Sequence, residues 1–195
     1  MNNIILPISL VGVGLIIAMF VPMFGGMDLP YNENHHILLN CSASEIHLHQ
    51  QIANYPSIGL FDGSNLDFTT CDFDSTTEEN AYWVITRNEA IPNTDDIQAK
   101  IYYTIEGTDG VCWSLAFRAV ADDEIIDGAI SPLTTLCDET TVTGDLHTLE
   151  MTIPSSTHDI SQDDLIIVIL KRAVDNVTDT NTADAKFIAM EILWN

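Results

Sequence analysis

The sequence predicts an all-β protein, a jelly-roll-like antiparallel β-sandwich head preceded by one N-terminal transmembrane helix. Three observations carry that prediction. An uncharged apolar stretch runs from Ile4 to Phe24. Behind it, apolar and polar residues alternate at period two in short runs separated by turn residues, the pattern of half-buried strands. No part of this head shows the 3.6-residue apolar repeat of an amphipathic helix.

About 20 apolar residues rising ~1.5 Å each cross the ~30 Å hydrocarbon core of a bilayer once. Residues 1–26 are therefore read as a membrane anchor, 27–40 as a polar linker containing Pro30, and 41–195 as the sandwich. A buried hairpin or oligomer stem is one alternative, and a cleaved secretory signal is the other. The length of the apolar run argues against it, as does the absence of Lys or Arg before Arg87; Phe24 also stands two positions before Gly26, where cleavage wants a small residue. The head carries four cysteines, Cys41, Cys71, Cys112 and Cys137, with no CxxC spacing. An even number in such a setting suits two disulfides in an oxidising compartment. Cys112 lies in one extended segment and Cys137 in the next, which favours a bridge between them and leaves Cys41 to Cys71; the four allow three connectivities in all. Sequons begin at Asn40 and Asn176, candidate glycosylation sites on an exported chain. The expected location is membrane-anchored with the head outside, on a cell surface or a virion membrane.

Along the head, Ile46 and Leu48 alternate with His47 and His49. Phe68 to Phe73 and Ala81 to Thr86 follow as short β-rich runs. From Ile97 to Glu106, Ile101, Tyr103 and Ile105 take one face against Lys100, Tyr102 and Thr104. Gly107-Thr108-Asp109-Gly110 reads as a turn into Val111 to Ala121, with Trp113, Leu115 and Phe117 on one side; this is the clearest hairpin. Leu133 to Val142 is Thr-rich and extended, and Leu146 to Ile153 alternates again. Leu165 to Leu170 is apolar throughout, as a strand covered on both faces or a short buried helix would be. Lys186 to Trp194 closes the chain, and Asp122 to Asp127 is the one place where a brief helical turn is expected.

The net charge is −23, with only six Lys plus Arg among 195 residues. Phosphate binding rests on clustered cations, so a nucleic-acid partner is excluded. No G-x-S-x-G, P-loop, H-E-x-x-H or dinucleotide fingerprint occurs, and no enzyme activity is expected. Two metal sites are candidates. His35, His36, His47 and His49 fall in one window, and His47-x-His49 on a strand would aim two imidazoles the same way, as copper or zinc accepts. Asp175, Asp179 and Asp184, in an Asx-rich stretch, could offer oxygens to Ca²⁺. A solvated polar surface accounts for the same letters in both cases.

The run Asp72-Phe73-Asp74-Ser75-Thr76-Thr77-Glu78-Glu79 into Ala81-Tyr82-Trp83, the hairpin ending in Trp113-Ser114-Leu115, and the closing pattern Gly144-Asp145-Leu146-His147, Asp164-Leu165 to Arg172, Asp179-Thr180 and Asp184-Ala185 together resemble a β-sandwich domain of bacteriophage tail and virion-surface proteins. The resemblance covers roughly residues 66–194. It implies a jelly-roll-like module used in assembly or surface attachment, with no catalytic residues to carry over. The expected function is that of a membrane-anchored, externally displayed structural or adhesive protein, whose partners are a membrane, its own copies or other surface proteins, and a glycan. A copper- or zinc-binding surface protein and an accessory subunit of a membrane complex are the alternatives.

Overall fold

The computed structural model describes residues 35–41, 54–86, 95–140, 142–161 and 163–194, all within a compact unit spanning 34–195. The anchor read at Ile4 to Phe24, and His47 and His49, lie outside the described residues.

Among the described residues ten strands form two antiparallel sheets: β1 (His35–Asn40), β2 (Ser57–Asp62), β3 (Asp67–Phe73), β4 (Asn80–Thr86), β5 (Ile97–Ile105), β6 (Gly110–Val120), β7 (Thr134–Glu139), β8 (His147–Ile153), β9 (Leu165–Arg172) and β10 (Ala185–Trp194). One sheet runs β2-β3-β10-β5-β8 with β1 also on β10, and the other runs β4-β9-β6-β7. From β3 onward the pairing is nested: β3 with β10, β4 with β9, β5 with β8, β6 with β7. A long antiparallel ribbon folded on itself gives that nesting. The ladders β10·β5 and β6·β9 then close the roll. This is the strand order of a jelly roll.

The alternation read from the sequence sets the core. Ile97, Ala99, Ile101, Tyr103 and Ile105 of β5 are buried, while their neighbours Gln98, Lys100 and Tyr102 are only partly so. In β6 both faces are covered, and Arg118 is its one partly exposed residue. Trp113 lies at the centre, with Phe73 and Tyr103 edge-on to it at 5.0 and 5.5 Å between ring centroids, separations favoured by aromatic quadrupoles. In β10 the alternation slips. Phe187 and Met190 are both buried, two residues stand between them, and the register against β5 shifts there, as a β-bulge requires.

The same bulge marks a change of neighbour. β3 pairs with β10 only at Ala185–Phe187, and β1 pairs with it from Ala189 to Trp194. The stretch His35–Asn40, read above as linker, is thus a strand of the sandwich. Its polar lead-in hid two apolar residues, Leu39, which is buried, and Ile37, which packs against the core. Trp83 Nε1 of the other sheet donates to the Asn40 carbonyl at 2.8 Å. The helical turn expected at Asp122 to Asp127 is absent, and the single helix among the described residues is a 3₁₀ turn at Ser155–Thr157. No helix among the described residues is long and apolar enough to cross a membrane.

The disulfides join Cys41 to Cys71 and Cys112 to Cys137, across sequence separations of 30 and 25. Loops of that length restrict the unfolded chain enough to stabilise the fold by about 3 kcal/mol each. The second lies within a sheet, between register partners of β6 and β7.

At the end of β9, Arg172 occupies a core-facing position and is fully buried. Its guanidinium donates Nε–H to Asp179 Oδ2 at 3.0 Å and Nη2–H to Asp179 Oδ1 at 2.7 Å. Further bonds reach the carbonyls of Asn181 at 2.6 Å and Ala183 at 2.7 Å. Asp179 Oδ2 also accepts the Cys112 N–H at 2.9 Å. The β9–β10 loop is thereby folded onto the end of the sandwich, close enough that a side chain on Gly110 would collide with the Thr178 carbonyl. Removing one partner of a buried, hydrogen-bonded ion pair leaves the other charge uncompensated. Asp179→Ala should therefore lower unfolding free energy by about 3–5 kcal/mol in a urea denaturation series, whereas Asp175→Ala, in the same loop but exposed, should change it by less than about 0.5 kcal/mol.

Candidate functional site

Thr104 is an outward-pointing residue of β5, alternating with the core residues Tyr103 and Ile105, and yet it is only 4% exposed. Something must cover the outer face of the sheet there. Leu60, Phe61 and Asp62 from β2 line one cleft of about 270 Å³ together with Thr104, Ile105, Glu106, Gly144 and Lys186. The β2–β3 hairpin therefore reaches the outer side of β5 and walls the cleft.

The chemistry of the walls is mixed. Phe61 stacks on Phe68 with centroids 4.8 Å apart and planes 13° from parallel. Lys186 Nζ donates to Asp72 Oδ2 at 3.0 Å, and Thr70 Oγ1 donates to Asp72 Oδ1 at 2.6 Å, so both carboxylate oxygens are engaged. A side chain on Gly59 would collide with the Asp72 carboxylate, so glycine is needed for the hairpin to close over this pair. Thr104 Oγ1 is buried and has no hydrogen-bond partner. Leaving a buried hydroxyl unsatisfied costs about 1–3 kcal/mol, so Thr104 is a local loss of stability beneath the cleft floor. A half-buried aromatic face, an ammonium and the Glu106 carboxylate around one cleft suit an uncharged ligand that has apolar C–H surface and several hydroxyl groups.

A second polar cluster lies at the same end, between the sheets. Tyr103 Oη donates to Asp138 Oδ2 at 2.9 Å. His147 Nδ1 stands 3.8 Å from that oxygen, and its ring lies 5.4 Å from that of Tyr103. Burial first, then the Asp138 hydrogen bond and its charge, hold the Tyr103 phenol well above the ordinary tyrosine range. The cluster ties β5 and β8 of one sheet to β7 of the other. His147 Nε2 also lies 3.4 Å from the Val142 carbonyl.

The sequence-nominated metal residues are placed as follows. Asp179 is held by Arg172, with a side chain only 1% exposed, while Asp175 and Asp184 are exposed. The central carboxylate of the three is thus paired with a buried guanidinium. His35 and His36 are successive residues of β1, opposite Trp194 and Leu193. Among the described residues no group of three His, Cys, Asp or Glu could hold a metal ion. Of the sequon residues, Asn40 lies on β1 and is partly buried, and Asn176 turns the β9–β10 loop by accepting the Thr178 N–H on its side chain at 3.0 Å. Sequence reasoning missed the Thr104 cleft. Its one signal was a lone threonine on the outer face of a strand otherwise cleanly divided, and nothing in the letters showed what would cover it.

No protein-family profile matches the chain, and no curated protein matches it in sequence. Among solved structures it is similar to a family 11 carbohydrate-binding module from Clostridium thermocellum in complex with a β-1,3-1,4-mixed-linked tetrasaccharide, at 11% identity and TM-score 0.48 over 82% of this chain and 94% of that one. It is also similar to the isomalto-dextranase of Arthrobacter globiformis complexed with panose, at 13% identity and TM-score 0.40, over 71% of this chain and 20% of the enzyme. The infectious bursal disease virus structure gives 7% identity and TM-score 0.38, over 84% of this chain and 32% of the viral one. This chain thus spans only a minor part of the enzyme and of the viral protein. Likeness this slight carries no argument about what the chain binds, and the jelly-roll assignment rests on its own strand order.

Because Tyr103 keeps a proton that the unfolded chain releases near pH ~10, folding stability should fall as pH rises through that value. Tyr103→Phe should flatten that fall, and in a tyrosinate absorbance titration of the wild type Tyr103 should ionise last. Ionisation of all five tyrosines together near pH ~10 in the folded state would contradict the burial described.

Proposed function

We propose that this chain is a displayed adhesive module whose β-sandwich head binds a neutral glycan in the cleft between Phe61 and Thr104. The stacked Phe61–Phe68 pair at the wall of a cleft that also holds Lys186 and Glu106 is the observation that carries the reading. Sugar rings offer an apolar C–H face for the aromatic surface and hydroxyls that both donate and accept, which is what the Lys186 ammonium and the Glu106 carboxylate require. The net charge of −23 works against acidic glycans. Two disulfides suit a head exposed to an oxidising compartment, and the apolar stretch Ile4 to Phe24 supports display from a membrane.

Glycan-array and calorimetric measurements on the head should find a neutral oligosaccharide ligand. Phe61→Ala should weaken its binding about tenfold or more. Thr104→Val replaces an unsatisfied buried hydroxyl with a methyl of the same shape, so it should leave the free protein equally or more stable. A neutral-glycan panel with no binder, or a binder indifferent to Phe61→Ala, would overturn the assignment. For display, the native protein should stay with membranes through alkaline carbonate washing. Release into the supernatant would refute anchoring, and co-sedimentation with nuclease-protected nucleic acid would make the membrane that of a virion.

A further inference from the structure

The two sequons, Asn40-Cys41-Ser42 and Asn176-Val177-Thr178, meet opposite surroundings in the fold. A triplet by itself marks only a possible acceptor. What separates the two is whether a bulky, hydrated substituent on the side-chain amide could stay in water once the chain has folded.

Asn40 ends β1, where it faces Ala189 across the ladder to β10. Its carbonyl takes the Trp83 Nε1 proton from the other sheet at 2.8 Å, and the residue is partly buried. The middle residue of its triplet, Cys41, is 1% exposed and bonded to Cys71. A sugar on Asn40 would be forced against a ladder and a disulfide.

Asn176 lies in the β9–β10 loop. Its N–H donates to the Ala173 carbonyl and its carbonyl accepts the Asp179 N–H, both at 2.9 Å, while Oδ1 accepts the Thr178 N–H at 3.0 Å. Among the described residues Nδ2 makes no hydrogen bond. The rest of the triplet stands in solvent, Val177 at 93% exposure and Thr178 also exposed. The bonds that fasten this loop run through Asp179 to Arg172 and to the Cys112 amide. None uses Nδ2 or the side chains of Val177 and Thr178. A substituent on Nδ2 therefore displaces no contact that holds the fold. The two disulfides suit an oxidising compartment outside the cytosol, the setting in which an exported chain meets N-glycosylation.

We propose that Asn176 carries an N-linked glycan and that Asn40 carries none. In the transfer, Nδ2 forms a bond to the anomeric carbon of a sugar activated as a lipid-linked phosphate ester. The bond from that carbon to the phosphate oxygen breaks, the phosphate leaves with the electron pair, and one Nδ2 proton is lost to a base of the transferase. Nothing is oxidised or reduced. The modification is separate from the Thr104 cleft and holds whether or not that cleft binds a ligand.

The test is peptide mass spectrometry on the protein produced in its native host, reduced and digested with trypsin. Cleavage after Arg172 and Lys186 releases Ala173–Lys186, which holds Asn176 together with Thr178, Thr180 and Thr182. That peptide should be heavier by a sum of sugar residues, with fragmentation placing the first sugar on Asn176, and the peptide ending at Arg87 should carry none on Asn40. Thr178→Ala should abolish the added mass and Thr178→Ser should keep it. Both variants retain the Thr178 N–H that Asn176 accepts, so both should unfold at the same urea concentration as the unglycosylated wild type. An unmodified Ala173–Lys186 peptide, a sugar on one of its threonines, added mass that survives Thr178→Ala, or a sugar on Asn40 would overturn the proposal.

Discussion

The pair formed by Arg172 and Asp179 holds one end of this molecule together. A guanidinium with no exposed surface must have its charge and its donors met inside the protein. Here the partners are one carboxylate and two carbonyls of the following loop. Through the Cys112 amide the same carboxylate reaches β6, whose bonded neighbour β7 supplies Asp138 to Tyr103. Hydrophobic burial is non-directional and would not by itself specify how an Asx-rich loop lies across the end of a sandwich. The ion pair does.

The ends of the sandwich and its middle are built on different principles. Around Trp113 the packing is aromatic and aliphatic and tolerates little void. Towards the Thr104 end the polar content rises, although unmet hydrogen-bonding atoms are not confined to the ends, Trp113 Nε1 being one of them. Each is a small local loss of stability, acceptable where the surrounding strands supply a surplus. The bonds that pin Asp72 hold the polar groups of the Thr104 cleft in fixed positions.

Much of the architecture was readable. Ile97–Ile105 and Gly110–Val120 alternate so cleanly that strand, face and turn all follow, and the uninterrupted apolar run of β9 marks a strand covered on both sides. The pairing Cys112–Cys137 follows from two adjacent extended segments. β1 was hidden by its polar lead-in, and β2 by its brevity and Gly59. The role of Asp179 was hidden for a different reason. An aspartate among Asx residues looks solvated, and only the fold brings a buried arginine seven positions earlier within reach of it. The cleft at Thr104 was illegible for a related cause, since a hairpin laid over the outer face of a sheet leaves no period in the sequence.

The division of the β10 edge between β1 and β3 has a mechanical side. A pull on the chain ahead of β1 is borne first by six residue pairs between β1 and β10, bonds that can open one after another. Immediately beyond them stands Cys41, joined to Cys71 within β3. Peeling therefore stops at a covalent bond, and the load passes into the strand that borders the first part of β10, at Ala185–Phe187. The head can yield a short length of slack ahead of Cys41 while the jelly roll behind it stays closed.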